Sequence, residues 1–417
     1  VTFFEVERQC PAGNHETLLN ATNPNFMANI FSAYDATRST NPVSHVESLN
    51  LWVVTGREEI VSILRNDVDF STRHNFDSDH ELDDACLELL RKSEYFTPAL
   101  LAMDPPRHTA VRGILTAEFT PKKMKALEAR LRSLIDTFMD GLEEENEVDL
   151  IQGLTYPMPM RVIGDLIGIP EGDLTRIKKW HDRWMSLLVT PMNREDQLQC
   201  ATALIEYDSY YRELIRRRLG APEDDLASRF ADAISGGICS ESEAIAALRF
   251  FVAAGHETAM NTIANIIYAL LLNREQWERL VKDRSLLAAA VEEGLRFDSG
   301  AQGTTRYALR ETAWGDTVIP AGARIHLMTG APGRDPEWVE RASTFDIARR
   351  ERGKHHAFGY GIHFCLGAPL ARLESILVLD VLTTRYPSLR LSGEFTPKYA
   401  PGGYMLRGMT CLPVVLS

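Results

Sequence analysis

Apolar residues recur every three or four positions through most of this chain, the spacing that lines one face of a helix. The pattern predicts helices over Arg57–Arg65, Arg107–Glu118, Lys122–Glu145, Pro157–Ile167, Gln197–Leu219, Glu241–Asn273, Arg274–Lys282, Ser285–Phe297 and Ala368–Tyr386. Strand signals are short and scattered: Leu49–Val54, a hairpin of Trp314–Ile319 and Arg324–Met328 around Pro320-Ala321-Gly322, and a terminal strand over Met409–Leu416. The sum is a mainly α fold with small β-sheets, expected as a single domain over residues 1–417. One stretch escapes the pattern. From Ser71 to Pro98 periodicity is weak and acids crowd in (Asp77, Asp79, Glu81, Asp83, Asp84), which suits a binding lid.

Composition narrows the class. Hydrophobic residues at 45% and charged residues at 25% describe a soluble globular protein with a large core. A net charge of −13 gives no basic stripe for nucleic acid. The most apolar long stretch, Ala244–Leu272, is interrupted by Arg249, His256, Glu257, Asn261 and Asn265, so no membrane span is expected. Val1–Asn20 carries no charged leader followed by an apolar run, so no signal peptide is expected. Six cysteines at 10, 86, 200, 239, 365 and 411 form neither a disulfide framework nor a zinc pattern. A cytoplasmic location follows as the expectation, with every cysteine but Cys365 a packing residue.

The longest predicted helix contains a conflict. Ser240-Glu241-Ser242-Glu243 is a capping box that starts it, and about 30 residues would carry it roughly 45 Å. Its middle reads Ala253-Ala254-Gly255-His256-Glu257-Thr258. Glycine there costs about 1 kcal/mol against alanine, and a buried glutamate costs more unless hydrogen-bonded or protonated. Such a cost invites a functional reason. Taken alone, the six residues fit a kink with a solvated polar face equally well.

Cys365 tips the balance. It lies in Phe358-Gly359-Tyr360-Gly361-Ile362-His363-Phe364-Cys365-Leu366-Gly367, a glycine-rich turn leading into the helix at Ala368. A helix N-terminus favours a thiolate, and a thiolate is a haem-iron ligand that promotes O–O cleavage. Glycines let backbone lie close to a flat ring. A buried core cysteine, the ordinary fate of a free thiol, does not account for the surrounding glycines and Phe358.

This stretch resembles the cysteine-ligand loop of the cytochrome P450 family, F-G-x-G-x-H-x-C-x-G, at every fixed position. Ala254–Thr258 resembles the family's A-G-x-[DE]-T, Glu293-Gly294-Leu295-Arg296 its E-x-x-R, and Asp104–Arg112 its D-P-P-x-H-x-x-x-R. The resemblance implies a single-domain fold with haem b between a long distal helix and the proximal cysteine-loop helix. Cys365 would be the axial thiolate, with Phe358, Gly359 and Gly367 around it. Thr258 would be the oxygen-side hydroxyl and Glu257 its acidic partner. Ala254 and Gly255 would face the cofactor, and His108, Arg112, Arg306 and His363 would take the propionates. Glu293, Arg296 and Arg349 would form a buried structural network.

The implied activity is that of a monooxygenase. It would insert one atom of O2 into a small hydrophobic or natural-product-like substrate, with electrons from a separate ferredoxin or flavodoxin and an NAD(P)H-dependent reductase. Arg349, Arg350, Arg352 and Lys354, with Lys122 and Lys123, offer a basic docking patch, or simply a solvated run. The alternatives are a peroxygenase using H2O2, a haem isomerase or dehydratase, and a non-catalytic haem-binding recruitment module. Candidate substrate contacts are Val252, Ala254, Gln302, Thr304 and Met405. The chain departs from the family after Arg296, where Phe297–Gly303 has two glycines and no proline; a flexible, small-walled segment is expected there.

Overall fold

The computed structural model describes residues 19, 21, 23, 25–143, 145–351, 353–400 and 403–416. Cys10 and Arg352 lie outside the described residues. The chain forms two compact units, one of residues 1–71, 132–155 and 258–417, the other of 72–131 and 156–257.

The first unit is built on a five-stranded sheet in the order Val43–Val46, Leu51–Val54, Arg324–Leu327, Thr304–Ala308, Phe70–Ser71. Only the pairing of Leu51–Val54 with Arg324–Leu327 is parallel. Val54, Ile325 and Leu327 pack with Ile60 and Ile63 of helix Arg57–Arg65. Each fully buried side chain of this size contributes about 1.5–3 kcal/mol. Helices Glu257–Leu272, Arg274–Lys282, Leu287–Asp298 and Ala368–Arg385 follow the predicted periodicity closely. A three-stranded sheet joins Glu147–Asp149, Pro413–Val415 and Arg390–Leu391.

The predicted hairpin is different. Thr312–Trp314 pairs with Thr317–Ile319 across Gly315, whereas Arg324–Leu327 joins the main sheet. The tight reversal lies inside the stretch read as one strand, and Pro320-Ala321-Gly322 merely links two sheets.

The second unit is helical: Asp84–Leu90, Arg107–Thr116, Pro157–Ile167, Leu174–Val189, Arg194–Gly220, Leu226–Ser235 and Glu241–Gly255. Its core holds Trp184, Tyr207, Tyr211 and Phe230. Arg249 is also fully buried, bonded to Asp208 at 2.6 Å and stacked over Trp184. Residues 72–98 make up most of the stretch expected to form a lid. Their backbone is fastened to the helices behind, by Asp79 N–H to Leu188 O, Asp83 N–H to Gln197 Oε1, and Glu94 N–H to Asp208 Oδ2.

The long helix does not run through. It ends at Gly255, turns at His256 (φ −88°, ψ −71°) and restarts at Glu257.

Candidate active site

The cysteine loop hangs at the start of helix Ala368–Arg385. Gly359 and Gly361 sit at φ 71° and 74°, a region that residues with a Cβ rarely adopt. A Cβ on Gly361 would also strike Leu64 O at 2.3 Å. The turn is closed by Cys365 N–H donating to Phe358 O at 2.9 Å. Among the described cysteines, Cys86, Cys200 and Cys239 are buried and Cys411 is half-buried, while Cys365 is exposed. Packing therefore does not explain Cys365: the loop presents its thiol outward, which is what ligation of a flat ring's iron requires.

Two charged networks brace this loop. Arg296 grips Glu293 through two bonds, at 2.7 and 2.8 Å, and donates to the carbonyls of Gly333, Ala342 and Thr344. Arg349 adds bonds to Glu293 at 3.2 and 3.3 Å and to the carbonyls of Glu340, Arg341 and Thr344. All three side chains are buried, so paired geometry and saturated donors are what make the charges tolerable. The second network has no counterpart in the sequence reading. Arg372 holds Glu292 and lies 4.6 Å over the Phe358 ring, and His355 reaches Glu292 from the other side. Burial raises the Glu292 carboxyl, but bonds from His355 and Arg372 outweigh it and hold it at about 2. The adjacency of Glu292 to Glu293 was the available signal.

At the break in the long helix, exposure changes abruptly. Residues 244–249, 251 and 252 are buried, whereas Ala254 is exposed and Ala253, Gly255, Glu257 and Thr258 are half-exposed. Gly255 has a packing reason as well as its expected cofactor-facing one: a Cβ there would meet Ile163 Cδ1 at 2.9 Å. His256 is a core residue. Its ring nitrogen Nε2 lies 3.0 Å from Tyr156 O, its Nδ1 meets no partner among the described residues, and burial lowers it to about 4. Glu257 Oε1 stands 3.6 Å from Lys178 Nζ, which also bonds Asp182. Sequence reasoning missed Lys178 together with its helix, although Ile177, His181, Trp184 and Leu188 mark its buried face at helical spacing.

The segment after Arg296 is tight rather than flexible. Gly300 N–H donates to Thr262 Oγ1 at 3.1 Å, and a Cβ on Gly300 would stand 2.5 Å from Thr262 N and 2.7 Å from Thr258 O. A Cβ on Gly303 would strike His326. These glycines permit close approach, which is why they look like flexibility in sequence.

Other candidates divide. His108 is buried on helix Arg107–Thr116, one turn before Arg112. Arg306 is buried on strand Thr304–Ala308 and donates to Thr305 O at 2.8 Å and Thr304 Oγ1 at 3.4 Å; His363 is half-buried. Gln302 is spent inside the protein, accepting from Tyr34 Oη and donating to Ser299 O, both at 2.7 Å, so its amide is engaged before any substrate arrives. Val252 is fully buried, Thr304 half-exposed and Met405 exposed. Half of the six cations of the basic patch are paired: Arg349 is buried on Glu293, Lys354 bonds Glu351 and Trp338 O, and Lys123 bonds Asp224 and Glu118.

Comparison with known proteins places this geometry. Residues 83–389 match the family model described as Cytochrome P450. The chain is 35% identical to Cytochrome P450 107B1 of Saccharopolyspora erythraea over 375 residues, covering 88% of this chain and 90% of the relative. It is 33% identical to Cytochrome P450 monooxygenase PikC of Streptomyces venezuelae, covering 95% and 93%. The structure of cytochrome P450 CREJ in complex with (4-ethylphenyl) dihydrogen phosphate superposes with a TM-score of 0.87 at 29% identity, covering 97% of this chain and 100% of that one.

Proposed function

Starting from the premise that this chain belongs to the cytochrome P450 family and is a haem-thiolate monooxygenase, we propose that it oxygenates a small hydrophobic or natural-product-like molecule as a single catalytic domain, drawing electrons from a separate ferredoxin or flavodoxin. Haem is the cofactor, and Cys365 is the residue whose thiolate would hold its iron; when bound, haem would supply the redox chemistry of oxygen insertion. The observation that carries the reading is the cysteine loop: an exposed cysteine, a turn that favours glycine at two positions, and two ion networks beside it.

The chain's own residues have separable tasks. Arg306 and His363, with His108 and Arg112, are the cations assigned to the propionates. Thr258 Oγ1 orients and donates a hydrogen bond on the oxygen side. Glu257, half-exposed, takes protons from solvent and passes them toward Thr258. The buried residues on both sides of this break exclude bulk water from the rest of the helix. Ala254, Thr304 and Met405 remain as substrate contacts. Gln302 we assign to bracing its segment. No basic surface is assigned to the redox partner, because three of the six proposed cations, Arg349, Lys354 and Lys123, are already paired.

Thr258→Ala tests the proton-delivery assignment. With a surrogate ferredoxin and reductase, the fraction of NADH that ends as peroxide should rise severalfold while the haem spectrum is unchanged. Unaltered coupling would remove Thr258 from the reading.

A further inference from the structure

Beside Glu257 lies a group of side chains that oxygenation does not require. His181 and Asp182, on helix Leu174–Val189, place one ligand atom each within 4.8 Å of each other and of a Glu257 carboxylate oxygen. His181 is 1% exposed, yet its ring nitrogen Nδ1 meets no hydrogen-bond partner among the described residues. A buried imidazole nitrogen without a partner forfeits about 1–3 kcal/mol, and native proteins seldom leave such a debt without a reason. Lys178 supplies the second sign. Its ammonium bonds Asp182 and stands 3.6 Å from Glu257, so a positive charge already occupies the space between the two carboxylates.

We propose that His181, Asp182 and Glu257 form a binding site for a divalent transition-metal ion, with zinc the best match. One neutral imidazole and two carboxylates make a mixed N,O donor set, which suits Zn2+ better than Mg2+ or Ca2+. Ligand atoms around tetrahedral zinc stand about 3.3 Å apart at bond lengths of about 2.0–2.1 Å. Asp182 and Glu257 must therefore close in by roughly 1.5 Å at most, and both carboxylates are partly exposed and able to rotate. The ion replaces the Lys178 ammonium, which swings to solvent; no bond is made or broken in the protein. A bound ion would also withdraw Glu257 from proton traffic, a consequence that rests on the relay reading above.

The test is equilibrium dialysis of chelator-treated, haem-loaded protein against ZnCl2, without turnover. One equivalent should bind saturably. His181→Ala and Asp182→Asn should each weaken binding by at least about 10-fold, and Lys178→Met, which removes the competing ammonium, should tighten it. Absent stoichiometric binding, or binding unchanged by these substitutions, overturns the site, as does weaker binding in Lys178→Met. If His181→Ala fails to retain haem, the exposed Asp182 decides. Peroxide release in the wild type is read separately: zinc that binds without raising it leaves the site standing and counts against the relay role of Glu257.

Discussion

Gly300→Ala adds one methyl group against the backbone of the helix that carries Thr258. The new Cβ would lie 2.5 Å from Thr262 N, 2.7 Å from Thr258 O and 2.7 Å from Thr262 Oγ1. An ordinary contact begins near 3.5 Å, so helix and segment must separate by roughly 0.8–1 Å. Two of the three obstacles are backbone atoms, and the bond from Gly300 N–H to Thr262 Oγ1 is stretched by the same movement. Overpacking of this kind costs about 1–3 kcal/mol. With an unfolding entropy of about 2.1 cal/mol/K per residue over 417 residues, the thermal midpoint should fall by about 1–3 °C. Displacing Thr258 should in addition raise peroxide release per NADH, because oxygen-side geometry is lost along with stability. Gly113→Ala is the control: it lies mid-helix with nothing within 4 Å of its added Cβ, and should stabilise by up to about 1 kcal/mol. A Gly300→Ala protein with an unchanged midpoint and unchanged coupling would refute the close-approach argument.

Two further outcomes concern stability alone. Asp208→Asn leaves the Arg249 guanidinium buried without a counter-charge and should cost about 3–5 kcal/mol by denaturant unfolding, whereas pairing Asp208→Leu with Arg249→Met should recover most of it; a single variant as stable as the wild type would sink this. His326, fully buried between Thr305 and Tyr404 O, is held neutral by burial, lowered from 6.5 to about 3. Its folded value lies below its unfolded one, so its contribution is complete above about pH 6.5 and is lost as pH falls toward 3. Between pH 7 and 5 the loss is about 2 kcal/mol, and His326→Gln should flatten the stability–pH curve by that amount; parallel curves would contradict it.

Much of the site was legible because its chemistry is local. The Cys365 loop, Glu293 with Arg296, and Ala254–Thr258 are short runs whose residue types carry their meaning. What sequence hid was non-local. Gly300 and Gly303 read as slack because a helix backbone and a histidine from other segments are what forbid a Cβ there. Gln302 read as a substrate contact because its partner, Tyr34, is far away in the chain. Helix Leu174–Val189 was missed because its buried face includes His181, which counts as polar in any pattern of apolar spacing. The hairpin was misassigned because Gly315, where the chain reverses, sits inside an otherwise strand-like run.

The Glu293 network has a consequence in time. Glu293 is reached by Arg296 three positions away and by Arg349 across 56. The first bond can form as soon as helix Leu287–Asp298 exists; the second must wait until the chain in between has closed into a loop. Until Arg349 arrives, the carbonyls of Glu340 and Arg341 lack their donor, and the stretch leading to Cys365 has no fixed departure point. The departure point of the cysteine loop thus depends on a contact made across 56 residues, and not on the helix that follows Cys365 alone.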